Sequence, residues 1–315
     1  MSIQARVEAH HRLTYQQNVQ MVAQQMQNRL RPAVTIVPAK GEAHSVADLL
    51  GDKEYIRGED RSRRNPENVT ARSRRWLVRP PVIEDGEYID TVDKFDMALD
   101  PTSYLMRNSI AAVERGVFDV ILGIARAEDG SFAVSGSGIL GKATSGKRPT
   151  TASDLPAANF IAADLDGDST AEGLTLDKLR AVKLALNKAE FGMEDDDELY
   201  AAITPEQVDD LIGIAAATNQ SLNAFAVDQL RSGKPTMLMG INWIATNRLP
   251  KDSNGNRLCP VWSKRNVVVG MWQDVRGDMW NDTSAKNLPY IYTSAYVDAV
   301  RVEDGGVRVI RCAES

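Results

Sequence analysis

The sequence predicts an α+β fold that mixes short strands with a few amphipathic helices. Three observations lead there. The run RSRRWLVRPPVIEDGEYIDTVDKFDMALDPTSYLMRNSIAAVERGVFDVILGIAR, from Arg72 to Arg126, passes from a basic strand through Pro80-Pro81 to a second strand and then a long helix. Two later segments, beginning at Thr175 and Thr204, carry apolar residues at helical spacing. The chain closes on a strand–turn–strand pattern from Ala299 to Arg311, read as a hairpin through Glu303-Asp304-Gly305-Gly306.

Taken in order, residues 2–30 form a Gln-rich helix or arm with Leu13, Val19, Val22, Met26 and Leu30 on one side, and Pro32 breaks it. Val34 to Val37 is a short strand. Residues 41–68 are polar, charged and poorly periodic, too long for an ordinary loop in a compact domain. Trp76-Leu77-Val78 and Tyr88 to Val92 are strands, with Glu84-Asp85-Gly86 as a turn between them. Asp100 caps the long helix and Pro101 takes its first position, where no backbone donor is needed. Met106, Ile110, Val113, Val117, Val120, Ile121 and Ile124 make one apolar stripe. A helix from Pro101 to about Ala127, on the order of 25 residues, is a rod of roughly 37 Å at ~1.5 Å per residue.

Phe132 to Val134 and Phe160 to Ala163 are strands around a Gly/Ser/Thr-rich segment. Thr175 to Phe191 is a second helix, and Thr204-Pro-Glu-Gln begins a third as a capping box. Asn223 to Arg231 reads as a fourth, short helix ending at Gly233. Met237 to Ala245 comes next, then a turn-rich Lys251 to Asn256, then mixed strands and helices.

Composition limits the function. At 315 residues and 43% hydrophobic, the chain can bury a sizeable core. A net charge of -6 argues against a dedicated nucleic-acid binder. The charge is uneven, however. Residues 57–79 hold eight arginines against three acids, whereas 164–210 hold fourteen acids against four bases. Such blocks meet across a subunit contact or are each a solvated face. Two cysteines, Cys259 and Cys312, make no disulfide framework, and no run reaches the ~18 apolar residues of a membrane span. With no secretory signal in the sequence, a cytoplasmic site of synthesis is expected.

No catalytic constellation emerges. Gly136-Ser-Gly-Ile-Leu-Gly-Lys142 imitates a phosphate loop, but the following Ala-Thr-Ser-Gly-Lys-Arg-Pro is not a helix sequence, and Ala143 stands where a metal-binding hydroxyl belongs. Asp164-Leu-Asp-Gly-Asp168 fails the calcium-loop spacing, with Gly at the fourth position and Thr175 at the twelfth. Glu194 to Glu198 reads as a solvated acidic loop. His10, His11 and His44 are the only histidines, which leaves most of the chain without the usual general base. Trp243, Trp262, Trp272 and Trp280 read as core or interface residues. No catalytic residue, cofactor or metal ligand is assigned.

Four stretches, in this order, resemble major capsid proteins of tailed bacteriophages with the Hong Kong 97-type fold. They are the Gln-rich Val19–Val34 ending in RLR-x-x-V; Arg74–Met106 with D-x-x-D-K at Asp90–Lys94 and D-P-T-S at Asp100–Ser103; GLTLDKLRAVKLAL at Gly173–Leu186; and Ile203–Pro250, with TPEQVDDLI, MGINWI and RLP. The linear order carries the likeness, because no single motif is specific.

The resemblance implies an N-terminal arm (1–32), an extended-loop region with flanking strands (33–95), and a peripheral domain (96–197) whose spine helix is 101–127. Residues 198–315 would be mainly an axial domain, with strands returning to the peripheral one. It implies a non-enzymatic shell protein that assembles with itself into pentamers and hexamers around phage double-stranded DNA, without sequence-specific DNA binding and without a membrane. A portal and a separate scaffold protein would be partners, a decoration protein a further candidate, and the virion, assembled in the host cytoplasm, the location. Lys53 lies where some relatives cross-link, but no partner can be assigned and no cross-link is expected. An encapsulin-like compartment is the same-fold alternative, and a nucleotide-binding enzyme using Gly136–Lys147 the alternative from another class. Arg57, Arg61, Arg63, Arg64, Arg72, Arg74 and Arg75 are the expected inter-subunit contacts, meeting an acidic surface of a neighbour.

Overall fold

A computed structural model describes residues 27–50, 70, 72–89, 102–165, 170–194, 196–217 and 237–314. The chain forms two compact units, one from residues 1–28, 81–117 and 273–296, the other from 29–80, 118–272 and 297–315. The Asp100 cap, the 2–26 arm and the Asn223–Arg231 helix lie outside the described residues.

In the first unit, β4 (Ile83–Tyr88) runs antiparallel to β15 (Leu288–Arg301), with Ile83 opposite Ala295 and Tyr88 opposite Tyr290. Strand β14 (Val267–Asp282) is the other neighbour of β15. Glu84-Asp85-Gly86, expected as a turn, is therefore mid-strand. The physical reason is Tyr290: a side chain at position 86 would overlap its ring, so the glycine serves the strand and not a turn. One face of this sheet takes the first four turns of helix α1 (Thr102–Leu122). There the buried Ser109 hydroxyl donates to Thr293 Oγ1 at 3.0 Å, and a methyl on Gly116 would lie 2.5 Å from the Ile83 methyl. The glycine lets helix and strand approach closely.

The apolar stripe of α1 is buried as its spacing predicts: Val113, Val117 and Ile121 are at most 2% exposed. The helix stops five residues before the expected Ala127. Gly123 adopts a left-handed conformation (φ +77°) and its N–H returns to Asp119 O, a C-terminal cap. Residues beyond it form β5 (Ile124–Arg126), paired with β6 (Phe132–Val134).

The second unit holds a six-stranded sheet. Its order is β11 (Met237–Leu238), β12 (Ile241–Ala245), β10 (Leu199–Ile203), β13 (Arg257–Ser263), β16 (Val307–Cys312) and β9 (Phe160–Ile161). Helix α2 (Leu176–Lys188) packs on β16 and β9, and α3 (Pro205–Ala217) on β10. The Thr175 hydroxyl caps α2 by accepting from Lys178 N. At α3 the Thr204 N–H donates to Gln207 Oε1 at 3.1 Å, the reach-back half of a capping box. Lys178 is fully buried, and its ammonium donates to the carbonyls of Glu172, Gly173 and Arg311 at 2.7, 2.8 and 3.2 Å.

The terminal Ala299–Arg311 segment is not a hairpin. Strand β16 leaves β15 and pairs with β13 and β9. Asn266 makes the transfer: its Oδ1 accepts from Glu303 N, its Nδ2 donates to Glu303 O, and its carbonyl accepts from Val302 N, each at 2.8 Å. A second sheet, in the order β2 (Ala43–Leu50), β3 (Arg72–Val78), β7 (Ala143–Ser145), β8 (Thr151–Ser153), completes this unit. Strand β1 (Thr35–Pro38) lies parallel to residues 268–271 of β14. Leu77, Ala143, Val268 and Val300 form the core where these strands meet.

Candidate assembly surfaces

Strands β2 and β3 pair from Ala43–Val78 to Leu50–Arg72, with a bulge between Ser45 and Ala47. They flank residues 51–71, whose sequence carries four of the eight arginines of the basic block. Strand β3 is fastened at several points. Val78 N–H donates to Asp298 Oδ2 at 2.8 Å, and the Ser137 hydroxyl holds the other carboxylate oxygen. Desolvation by burial pushes the Asp298 carboxyl above its ordinary range, although hydrogen bonds from Ser137 and the backbone oppose it. Trp76 Nε1 donates to Gly146 O at 2.9 Å.

Of the seven expected contact arginines, Arg57, Arg61, Arg63 and Arg64 lie outside the described residues. Arg72 opens β3, and Arg74 stacks over the Trp76 ring at 5.4 Å. Arg75 is committed within the subunit. It donates to Val302 O at 2.9 Å, pairs with Asp304 at 3.2 Å, and is 11% exposed. The same Asp304 also takes Arg301 at 2.6 Å, a fully buried side chain whose other donors reach the carbonyls of Gly141 and Ser153.

The glycine-rich segment is a packing device. Gly138 (φ +103°) bridges to Val300, and a Cβ there would lie 2.7 Å from Gly123 N. Strand β7, not a helix, follows Lys142, so the segment presents no helix N-terminus to a phosphate. The acidic run at 194–198 is only partly a solvated loop. Asp197 is buried and accepts from Gly192 N and the Ser263 hydroxyl, which a run of five acids hides. Cys259 and Cys312 are buried free thiols on paired strands, and the neighbouring Cys312 together with burial pushes the Cys259 thiol up. His44 belongs to a different sheet. Among the described residues no group of three or more His, Cys, Asp or Glu is placed to hold a metal ion, and no helix is long and apolar enough to cross a membrane.

The tryptophans divide. Trp262 is fully buried with Nε1 donating to Ala33 O, Trp243 is 8% exposed, and Trp272 donates to Gly41 O. Trp280 is different, being 46% exposed. It belongs to a surface that residue patterning missed: Tyr88, Tyr290, Tyr292 and Trp280 gather on the sheet of the first unit. Ring centroids are 4.5 Å apart for Tyr88–Tyr290, 5.2 Å for Trp280–Tyr290 and 5.7 Å for Trp280–Tyr292. Carboxylates flank the rings, with Asp282 accepting from the Tyr88 hydroxyl at 2.8 Å and Glu84 from the Tyr292 hydroxyl at 2.6 Å.

Comparison with known proteins identifies the fold. The chain is similar in structure to the capsid of cyanophage P-SCSP1u (TM-score 0.65, 14% identity, 96% of this chain and 93% of that one). It is also similar to the capsid of Ralstonia phage GP4 (TM-score 0.68, 10% identity, 96% and 95%). A third likeness is to the capsid of an empty GTA particle (TM-score 0.59, 16% identity, 96% and 95%). At these identities the likeness establishes the fold, the Hong Kong 97-type expected from the sequence. No curated protein matches in sequence. The model of the family described as phage capsid protein matches residues 7–314, so the chain belongs to the phage capsid protein family.

Proposed function

We propose that this chain is the repeating subunit of an icosahedral phage head, assembling with itself into pentamers and hexamers around double-stranded DNA. The family match over residues 7–314 carries the reading. Three capsid structures that align with more than 90% of both chains support it. The role is structural: apolar burial holds each subunit, and lapped contacts hold the shell. A net charge of -6 suits a wall that confines DNA without adhering to it.

Within this reading residues 1–32 are the N-terminal arm, 33–95 the extended loop and its strands, 96–197 the peripheral domain, and 198–315 mainly the axial domain. The arginines at 57, 61, 63, 64, 72 and 74 face a neighbour. Portal and scaffold proteins complete assembly in the host cytoplasm, and a decoration protein is a further partner of the finished shell.

Negative-stain microscopy of the purified full chain, alone and with its scaffold, tests the reading. Uniform closed shells are expected. Material that stays monomeric or forms only small discrete oligomers under both conditions would sink it.

A further inference from the structure

We propose that the outer face of β4, β14 and β15 binds a linear polyamine, its end ammonium groups held by Glu84 and Asp282 and its methylenes laid over the rings of Tyr88, Tyr290, Tyr292 and Trp280. Such a site belongs to one subunit and stands apart from the shell reading.

Strand register builds the face. Tyr88 lies opposite Tyr290, Gly86 opposite Tyr292 and Glu84 opposite Ser294. Alternate residues of a strand share a side. Thr293, between Tyr292 and Ser294, points the other way and meets Ser109 of α1, so the rings occupy the side turned from the helix. Trp280 of β14 joins them, 5.2 Å from Tyr290 and 5.7 Å from Tyr292. Tyr88 and Trp280 are each 46% exposed, so their rings are open to solvent. An ammonium over such a ring is drawn to its negative π-face.

Two carboxylates bracket the rings. Glu84 accepts from the Tyr292 hydroxyl at 2.6 Å, and Asp282 from the Tyr88 hydroxyl at 2.8 Å. Positions 84 and 88 are ~13 Å apart along β4 at ~3.3 Å per residue, so one negative pole stands near each end. The Ser284 hydroxyl, then the Tyr88 phenol, hold Asp282 below the usual carboxylate range, and it is ionised at neutral pH. A carboxylate offers about four acceptor sites, which leaves both with capacity for a ligand. Among the described residues no lysine or arginine pairs with Glu84 or Asp282, and Arg276, on the same stretch of β14, is paired with Asp278 at 3.0 Å.

The occupant follows from charge and spacing. Ordinary bond lengths put the end nitrogens of spermidine on the order of 11 Å apart, with apolar methylenes between them to lie on the rings. Putrescine is about half as long and cannot reach both poles. A hard divalent cation needs converging oxygens, whereas these carboxylates stand apart across the rings. A single lysine or arginine of a protein partner would leave one pole unused.

Titration calorimetry of the purified full chain at physiological salt tests this, with spermidine, α,ω-diaminooctane, putrescine and octylamine as probes. Diaminooctane and putrescine carry equal charge and differ in span; octylamine keeps the long chain and has one charge. Saturable binding of spermidine and diaminooctane is expected, each about tenfold tighter than putrescine or octylamine. No saturable binding of spermidine overturns the proposal. So does putrescine equal to diaminooctane, which marks diffuse counter-ion binding, or octylamine equal to it, which marks a one-cation site.

Variants locate the site. Trp280→Leu with Tyr290→Leu keeps both carboxylates and is expected to weaken spermidine about tenfold. Glu84→Gln, at the exposed end of the face, is expected to abolish the preference for diaminooctane over octylamine at an unchanged melting temperature. Undiminished spermidine binding in the first variant, or an undiminished preference in the second, overturns the proposal.

Discussion

The backbone N–H of Val78 donates to the buried carboxylate of Asp298 at 2.8 Å, tying the end of β3 to β15. Desolvation raises this carboxyl above its ordinary 3.8, so its charged form destabilises the fold relative to the unfolded chain. A raised folded value means a contribution complete below about pH 3.8 and lost as pH rises through the folded value. Asn is isosteric, and its oxygen and amide can serve Val78 and Ser137. Asp298→Asn is expected to stabilise the subunit by about 1 kcal/mol at pH 7, with the gain vanishing in acid. Thermal melts of both proteins across pH measure it.

The arginines of the basic block should separate by assay. Arg75→Ala removes the donors to Val302 O and Asp304 and is expected to cost about 2 kcal/mol of subunit stability. Arg63→Ala and Arg64→Ala should leave the melting temperature within about 1 °C while lowering shell yield. Denaturation and assembly assays on the same preparations compare them.

Glu314 should govern acid stability. Burial pushes its carboxyl up, but hydrogen bonds from Arg257 and Lys251 outweigh that and hold it at about 2, below its ordinary 4.5. A depressed folded value gives stability that is complete above about pH 4.5 and is lost as pH falls toward 2. Glu314→Gln is therefore expected to melt lower at pH 7 and to show a shallower decline between pH 4.5 and 2. Melting curves over that window decide it.

Lys178→Met keeps the aliphatic volume and removes the buried ammonium that serves three carbonyls. The expected loss is about 2–3 kcal/mol, read from denaturant unfolding. Lys178→Arg, too wide for the site, should not restore it.

Local patterning made some of this legible and left the rest hidden for identifiable reasons. The 3.6-residue period marked α1 through Val113, Val117 and Ile121, because a helix face repeats within a few residues. Its end was not marked, since Gly123 becomes a stop only where Gly138 and Gly141 press against it. The Ala299–Arg311 pattern suggested a hairpin because the turn residues were right, whereas the deciding residue, Asn266, lies far upstream. Gly86 likewise mimics a turn until Tyr290 is placed over it.

The basic block was visible as charge, but charge alone does not show that Arg75 is held inside by Val302 and Asp304. Of the aromatic face, only Trp280 was marked in the sequence, as a core or interface residue. Its members come from residues 84–88, 280–282 and 290–292, and only the pairing of three strands makes them adjacent.

Asp304 accepts from both Arg75 and Arg301. This makes positions 75, 301 and 304 a single heritable unit. Loss of Asp304 would strand a fully buried guanidinium at 301 and loosen the one at 75 together, whereas loss of Arg75 leaves Asp304 its second cation. Variation should therefore enter the trio through position 75 first, where a change costs that side chain's own contacts and leaves the buried pair of 301 and 304 in place.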